Sequence, residues 1–389
     1  MQTIEKQASS NDLTPHRPSL KALTGIRFFA SFYVVVFHSR LSSELAQHGQ
    51  KAAGHFFASG YLAVELFFLL SGFILAYTYA GQLKVPSDTR RFLEARFARI
   101  WPVYAVSLLL ASIPSLVFPK PWVMVATLAM VQAWNPLDAG MAGAWNLVCW
   151  TLSVEAVFYL CFPSFQVWIE RQTLRSLQIT IAGMLLLTIA LNSGIYTLGV
   201  PLNSFTKHVP MPLWHLSEFF AGVGMGNFFE RRRGLGKAFQ ERSRVFGSGV
   251  WTYVSALLTI ALLCRAQSRW TSVVVLAFAA LIFGLASEAT WLSRLLSTRI
   301  MLLGGGMSYS MYLMQMPVKA WGNGLADRFH VGSSALRLGF STAILLVLSL
   351  FLFKVVEDPA RRLIRSAFAT IEQQRQRRSA LSIAEVKPV

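Results

Sequence analysis

Ten apolar runs of membrane-spanning length dominate the sequence and limit the folds that it can adopt. A helix formed by such a run is long enough to cross a hydrocarbon core about 30 Å thick. Backbone groups inside lipid must be hydrogen-bonded within the protein, and continuous apolar runs meet this need as helices. The sequence therefore predicts an all-α, polytopic transmembrane helix bundle. The runs cover residues 20–40, 60–80, 99–118, 147–168, 177–195, 213–229, 249–264, 270–286, 301–321 and 336–356.

The composition supports a membrane protein and argues against a soluble domain. Hydrophobic residues make up 54% of the 389 residues and charged residues only 14%, whereas about a quarter of the residues in a soluble domain are charged. The formal net charge of +18 would suggest a nucleic-acid partner in a soluble protein. In a membrane protein the same excess arises from basic cytoplasmic loops. We therefore expect contact with membrane lipids and no binding of nucleic acid.

The distribution of Lys and Arg predicts the orientation of the bundle. With ten spans and both termini in the cytoplasm, the cytoplasmic segments contain 25 of the 36 basic residues. This asymmetry predicts an N-in, C-in topology. A weaker apolar run at 122–134 would reverse every later loop if it crossed, so we assign it to a short re-entrant or interfacial segment. The cytoplasmic segments are 1–22, 81–99, 169–176, 230–248, 287–300 and 357–389.

The ends of the sequence predict two tails around one domain. Residues 1–20 are polar and contain two prolines, which is typical of a disordered cytoplasmic tail. The apolar run that follows is long and lacks a small-residue cleavage site, so we expect it to remain as the first span. Residues 21–365 form the transmembrane domain, and residues 366–389 a basic cytoplasmic tail.

Titratable side chains inside the apolar runs mark a candidate site, because such groups are costly in a membrane and usually functional. Arg27 and His38 lie eleven residues apart in the first run. In a helix this separation is about three turns, so both side chains face one side, about 16 Å apart along the axis. With the predicted topology, Glu65 and Glu155 lie in the outer half of their spans, as His38 does.

A pair of arginines lies at the inner end of the third run. Arg96 and Arg99 are three residues apart and therefore neighbours on one helical face. Two guanidinium groups there can hold phosphates; the alternative is that they are ordinary basic residues beside lipid headgroups. The histidines and the three cysteines show no metal-ligand spacing. We accordingly predict no metal site and no permanently bound cofactor.

Five sequence blocks resemble, in order, the motifs of the membrane-bound acyltransferase-3 family. Arg27 and His38 stand in the family's arrangement of an Arg and a His separated by ten residues. Glu65 stands where the family usually has Asp, and Gln315 where its members often have His. The resemblance covers residues 20–365. The blocks are LTGIRFFASFYVVVFHS, AVELFFLLSGFILA, the RxxR of Arg96 and Arg99, WNLVCWTLSVEAVFYLCFP, and GGMSYSMYLMQMP with a trailing VEDPARR.

The resemblance implies an integral O-acyltransferase of a bacterial cytoplasmic (inner) membrane. Such an enzyme takes an acyl group, commonly acetyl, from cytoplasmic acyl-CoA as its co-substrate. It delivers the group to a hydroxyl of an acceptor, often an extracytoplasmic glycan, a glycolipid or a lipid-linked sugar. The same resemblance makes Arg27 and His38 the essential pair, and Arg96 and Arg99 functional arginines. Some relatives have a further esterase-like domain, whereas here transfer is expected to rest on the membrane part alone.

The residues themselves suit this chemistry and leave two mechanisms open. His38 titrates near neutrality and can take a proton from an acceptor hydroxyl, with Glu155 or Glu65 fixing its tautomer as the acid does in hydrolase triads. A covalent acyl-histidine is the other mechanism. The alternative function is a secondary transporter of a small anionic or sugar-like solute, since transporters also have about ten spans with intramembrane His, Glu and Arg. The sequence does not indicate an oligomeric state.

Overall fold

The structure is a computed structural model, and the part of the chain that it describes is helical without β-strands. This confirms the predicted all-α class. The described residues are 18–39, 41–113, 118–136, 138, 140–196, 209–234, 249–265, 271–328, 330, 334–364, 366–368 and 370. The α-helices among them are α1 (Lys21–Phe37), α2 (Leu41–Gln47), α3 (Lys51–Ala58), α4 (Ala63–Tyr79), α5 (Pro86–Ser112), α6 (Pro121–Leu128), α7 (Trp150–Glu170), α8 (Leu174–Tyr196), α9 (Met211–Trp214), α10 (Leu216–Gly234), α11 (Val250–Leu263), α12 (Val274–Ser287), α13 (Trp291–Leu296), α14 (Arg299–Arg328) and α15 (Ser334–Leu352).

Each predicted apolar run coincides with a helix, but the structure does not confirm ten spans. Among the described residues, four helices are long and apolar enough to cross a membrane, and a fifth is added if α1 and α2, bent by 65°, form one span. Helices α11 and α12 have only 14 residues each, fewer than the about 20 that a span requires. The four helices are Lys51–Tyr79, Leu147–Glu170, Leu174–Ser193 and Leu336–Phe368. These long apolar helices indicate a membrane protein.

The weak apolar run at 122–134 forms only a short helix. Helix α6 has eight residues and is about 12 Å long, less than half the thickness of a hydrocarbon core. A turn follows it at Ala129 and Met130, where Met130 has φ of 58°. A helix of this length does not cross a bilayer on its own.

Helices α4 and α10 pack against each other with their backbones in close contact. A Cβ atom at Gly222 of α10 would lie 2.0 Å from the carbonyl oxygen of Leu69 in α4, and one at Gly226 would lie 2.4 Å from that of Phe73. Any side chain larger than hydrogen would push the helices apart. The GxxxG pair of α10 therefore serves close helix approach.

Helices α1 and α14 form the second close pair, and it positions the candidate site. A Cβ atom at Gly305 of α14 would lie 2.0 Å from the carbonyl oxygen of Thr24 in α1. Further along both helices, the buried Ser31 donates a hydrogen bond from Oγ to the carbonyl oxygen of Ser308 at 2.9 Å. The motif around Arg27 and the glycine-rich motif of α14 are thus held together although they lie far apart in the sequence.

The predicted tails, 1–20 and 366–389, lie mostly outside the described residues. Much of the loop between the fifth and sixth apolar runs, 196–212, which the predicted topology places outside, also lies outside the described residues. The same holds for the basic cytoplasmic segment 230–248. The assignment of residues 21–365 to one transmembrane domain stays a prediction.

Candidate active site

Four of the six predicted site residues line one cavity. Arg27 of α1, Arg96 and Arg99 of α5 and Glu155 of α7 all border it, and we call it the arginine cavity. The three-residue step between Arg96 and Arg99 directs both side chains to one face of α5. Packing of α5 against α7 and α14 turns that face toward the interior.

The three arginines lack a carboxylate partner in the described part of the chain. Among the described residues, none of Arg27, Arg96 and Arg99 forms an ion pair within 4 Å. Arg96 donates a hydrogen bond from Nη2 to the hydroxyl of Tyr79 at 3.3 Å, and its guanidinium lies over the ring of Tyr159 at 5.9 Å. Aromatic faces and a hydroxyl stabilise a cation without neutralising it. The cavity therefore keeps an excess of positive charge that suits an anionic ligand.

Glu155 is bonded to a tyrosine in this cavity and does not touch His38. Its Oε1 accepts a hydrogen bond from the hydroxyl of Tyr159, one turn further along α7. Glu155 and Tyr159 line the arginine cavity together with Arg27 and Arg96. The structure thus groups this glutamate with the arginines.

Glu357 is a further member of this group to which the sequence assigned no role. It is 4% exposed, ends a five-residue π-helical turn (Phe353–Glu357) after α15, and accepts a hydrogen bond from Ser310 Oγ at 2.8 Å. Ser310 directly follows Ser308 and Tyr309 in the sequence, and these two residues line the arginine cavity. A π-turn of this kind often occurs at functional sites because it redirects side chains. The only sequence signal for Glu357 is its position in the VEDPARR block.

His38 lies at the other end of α1, as the C-cap residue of that helix. Its Nδ1 is 3.0 Å from the carbonyl oxygen of Val34 and 3.1 Å from Oε1 of Gln315. A carbonyl oxygen only accepts hydrogen bonds, so Nδ1 carries the proton in the neutral ring. Nε2 then has the free lone pair, which is the arrangement that a general base requires.

Gln315 is held in the orientation that this tautomer needs. Its Nε2 donates to the carbonyl oxygen of Tyr312 at 2.8 Å, which leaves Oε1 toward His38. Pro317, two residues later, has no backbone N–H and leaves the carbonyl oxygen of Leu313 without its helical partner. Asn146 Nδ2 donates to that oxygen at 3.0 Å. The helix therefore continues past the proline with its backbone satisfied.

His38 borders two cavities, and neither is the arginine cavity. One, between α1, α14 and α15, is polar and includes Lys319 and Asp327 in its wall. The other contains several aromatic rings together with Glu65 and Asn192. We call them the polar cavity and the aromatic cavity. Arg27 and His38 thus reach different cavities from the two ends of one helix.

The aromatic cavity adjoins the arginine cavity, whereas the polar cavity does not. Val64 of α4 and Tyr312 of α14 line both the arginine cavity and the aromatic cavity. The polar cavity and the arginine cavity have no wall residue in common in the part of the chain that the structure describes. Val64 and Tyr312 therefore form the boundary between the arginine cavity and a cavity that His38 borders.

Glu65 lies in the wall of the aromatic cavity and makes no bond to His38. It is 7% exposed, and its Oε1 accepts a hydrogen bond from Asn192 Nδ2 at 3.1 Å. Within the described part of the chain, no carboxylate is hydrogen-bonded to the His38 ring. An amide and a backbone carbonyl, not the predicted glutamate, hold the tautomer of His38.

Comparison with known proteins places the chain among acyltransferases. A family model described as an acyltransferase domain matches residues 20–354. Acyltransferase MdmB of Streptomyces mycarofaciens is 28% identical over 379 residues, which cover 90% of this chain and 94% of that protein. The exopolysaccharide production protein ExoZ of Rhizobium meliloti (strain 1021) is 26% identical over 194 residues, or 48% of this chain and 56% of that protein. No solved structure matches the chain significantly.

Proposed function

The chain belongs to the acyltransferase family, and on that premise we propose that it moves an acyl group from cytoplasmic acyl-CoA to a hydroxyl of an extracytoplasmic or lipid-linked glycan. Family membership makes the chain a transferase and favours this role over that of a transporter. The observation that carries the proposal is the geometry of α1. One end of this helix contributes Arg27 to a cavity of unpaired arginines, and the other end presents a histidine with a free Nε2.

The donor site of this proposal is the arginine cavity. Acyl-CoA carries phosphate groups, and arginine holds phosphate oxygens through charge-assisted, often bidentate hydrogen bonds. Arg27, Arg96 and Arg99 have no ion pair within 4 Å in the described part of the chain. Binding an anion there stabilises cations that are otherwise costly to hold inside a membrane.

His38 is the general base in this account. Nε2 takes the proton of the acceptor hydroxyl as its oxygen attacks the thioester carbonyl carbon. The tetrahedral intermediate collapses with cleavage of the C–S bond, and the departing coenzyme A thiolate takes the proton back from Nε2. The contacts of Nδ1 with Val34 and Gln315 support this role, because they hold the ring in one tautomer through both proton transfers.

The acceptor and the direction of transfer follow from separate observations. The name of ExoZ connects that relative with exopolysaccharide production, which supports a glycan acceptor for this chain. The excess of Lys and Arg in the predicted inner loops supports an N-in, C-in topology. With that topology the arginines face the cytoplasm and His38 faces the outer side of the cytoplasmic membrane.

Transfer across sealed membranes tests the proposal. Vesicles containing the protein receive acyl-labelled acyl-CoA on the predicted cytoplasmic side only. We expect covalent label in glycan on the opposite face and free coenzyme A on the donor side. A transporter would instead move a solute without forming a covalent product. Vesicles that produce no labelled acceptor would contradict the proposal.

The same label separates the two mechanisms. General-base catalysis predicts no labelled protein when the donor is supplied without an acceptor. An acyl group that is trapped on His38 under these conditions and then passes to an added acceptor would establish the covalent mechanism instead.

A further inference from the structure

The aromatic cavity contains a buried carboxylate oxygen that lacks a partner. Glu65 is 7% exposed, and its Oε2 has no hydrogen-bond partner among the described residues. The neighbouring buried glutamate, Glu218, differs in this respect because His215 Nδ1 lies 3.2 Å from its Oε1. An unsatisfied buried carboxylate oxygen is costly. A ligand hydroxyl that donates to Oε2 would remove that cost.

Aromatic rings line the same cavity as this carboxylate. Tyr61, Trp150, Trp214 and Tyr312 line the cavity together with Glu65 and Asn192. An aromatic face packs against an apolar surface, and the amide and carboxylate offer a donor and an acceptor for hydroxyl groups. A sugar ring combines these two properties, since its C–H groups form an apolar face and its hydroxyls project from the edge.

The aromatic cavity is better placed for an acceptor than the polar cavity is. Attack on the thioester requires that the acceptor hydroxyl, the histidine and the donor meet at one point. His38 lines both the polar and the aromatic cavity. Among the described residues, only the aromatic cavity shares wall residues, Val64 and Tyr312, with the arginine cavity. An acceptor in the polar cavity would have no such common wall with the donor.

We propose that the aromatic cavity binds a monosaccharide ring of the acceptor, with Glu65 and Asn192 as its polar contacts and the aromatic rings as its apolar contacts. This inference rests on the proposed acyltransferase function and specifies the acceptor class for the same site. The reacting hydroxyl then lies on the part of the ring nearest His38, Val64 and Tyr312. Glu65 is in this account a substrate-binding residue.

Direct binding of sugars tests the inference without any measurement of acyl transfer. The probes are the methyl glycosides of glucose, galactose, mannose and rhamnose, added to the full chain in lipid nanodiscs and followed by ligand-observed NMR. Sorbitol, an acyclic polyol, is the control ligand because it has hydroxyl groups but no apolar ring face. We expect saturable binding of at least one glycoside and no saturable binding of sorbitol.

The variants separate a sugar site from general packing. Glu65→Gln and Asn192→Ala are each expected to weaken glycoside binding about tenfold, as loss of a hydrogen bond in a buried site does. The control is Glu288→Gln. Glu288 is also buried, at 4% exposed, but it lies outside the aromatic cavity and is bonded to Thr252. This variant is expected to bind glycoside like the wild type. Unchanged affinity for coenzyme A shows that each variant is folded. If Glu65→Gln loses that affinity, the glycoside affinity of Asn192→Ala alone tests the sugar site.

Two results would overturn the inference. One is the absence of saturable glycoside binding by the wild type, and the other is equal glycoside affinity in the wild type and in the folded cavity variants. Either result leaves acyl transfer intact if vesicles still label an acceptor. Conversely, glycoside binding without acyl transfer would reject the proposed function and keep the sugar site.

Discussion

The Nδ1 atom of His38 lies 3.1 Å from Oε1 of Gln315, across the contact between α1 and α14. This contact joins two residues that are 277 positions apart. It gives the amide the task that a carboxylate performs in a hydrolase triad, namely to hold one histidine tautomer. Unlike a carboxylate, the neutral amide of Gln315 provides this orientation without placing a negative charge beside the imidazole.

Gln315→Leu is predicted to lower kcat about tenfold or more with little change in the KM for acyl-CoA. The substitution removes the accepting oxygen and leaves Val34 as the ring's remaining partner, so the reactive orientation is less populated. Gln315→Glu keeps an accepting oxygen at this position and is expected to retain most of the activity. Steady-state kinetics of both variants check this prediction. Equal kcat values for Gln315→Leu and Gln315→Glu would show that the contact between Gln315 and His38 is unimportant.

Arg99→Ala is predicted to raise the KM for acyl-CoA about tenfold or more. Hydrogen bonds to charged groups contribute about 1.5–3 kcal/mol, and Arg99 has no ion pair in the described part of the chain that would compete for it. Arg90→Ala is the matched control, because Arg90 is on the same helix but paired with Glu94 at 2.7 Å. Coenzyme A titrations that show the same loss in both variants would contradict a donor site in the arginine cavity.

Glu357→Ala is predicted to destabilise the protein by about 1–3 kcal/mol, because it leaves the buried hydroxyl of Ser310 without its acceptor. Glu357→Gln retains an accepting oxygen and is expected to lose less. The neighbouring Asp358 is bonded to Arg361 near the surface, with 26% of its side chain exposed, so Asp358→Ala should cost at most about 1 kcal/mol. Thermal unfolding in detergent ranks the three, and a larger effect at Asp358 would refute the structural role of Glu357.

Gly305→Ala is predicted to lower both the unfolding temperature and the acyl-transfer rate. The added Cβ would lie 2.0 Å from the carbonyl oxygen of Thr24, so α14 must move away from α1 and carry Gln315 with it. Overpacking of this kind costs about 1–3 kcal/mol. Gly183→Ala is the control, because its Cβ would meet nothing within 4 Å. An active and stable Gly305→Ala protein would show that the α1–α14 contact tolerates separation.

The sequence predicts those parts of the site that depend on helical period. The eleven-residue step from Arg27 to His38 and the three-residue step from Arg96 to Arg99 fix which side chains share a helix face, and the structure brings three of these four residues together. The helical period does not show which distant segment covers each face. For this reason it predicts neither the contact of His38 with Gln315 of α14 nor the hydrogen bond of Glu155 with Tyr159.

Other features depend on tertiary structure from the outset. Glu357 reaches Ser310 of α14 from a π-turn, and no apolar periodicity predicts such a turn. The number of spans stays unconfirmed, because an apolar window does not reveal that α11 and α12 have only 14 residues each. The all-α class was predictable because continuous apolar runs allow few alternatives.

The most direct test of the account is the rate at which His38→Ala transfers label from cytoplasmic acyl-CoA to an outer-face acceptor in sealed vesicles. General acid–base catalysis contributes about 10²- to 10⁴-fold, so the rate is predicted to fall by at least about a hundredfold while coenzyme A still binds. His48→Ala is the control, since His48 is exposed on the turn after α2 and bonded only to its own helix through Glu44. Transfer by His38→Ala at the wild-type rate would contradict the central claim.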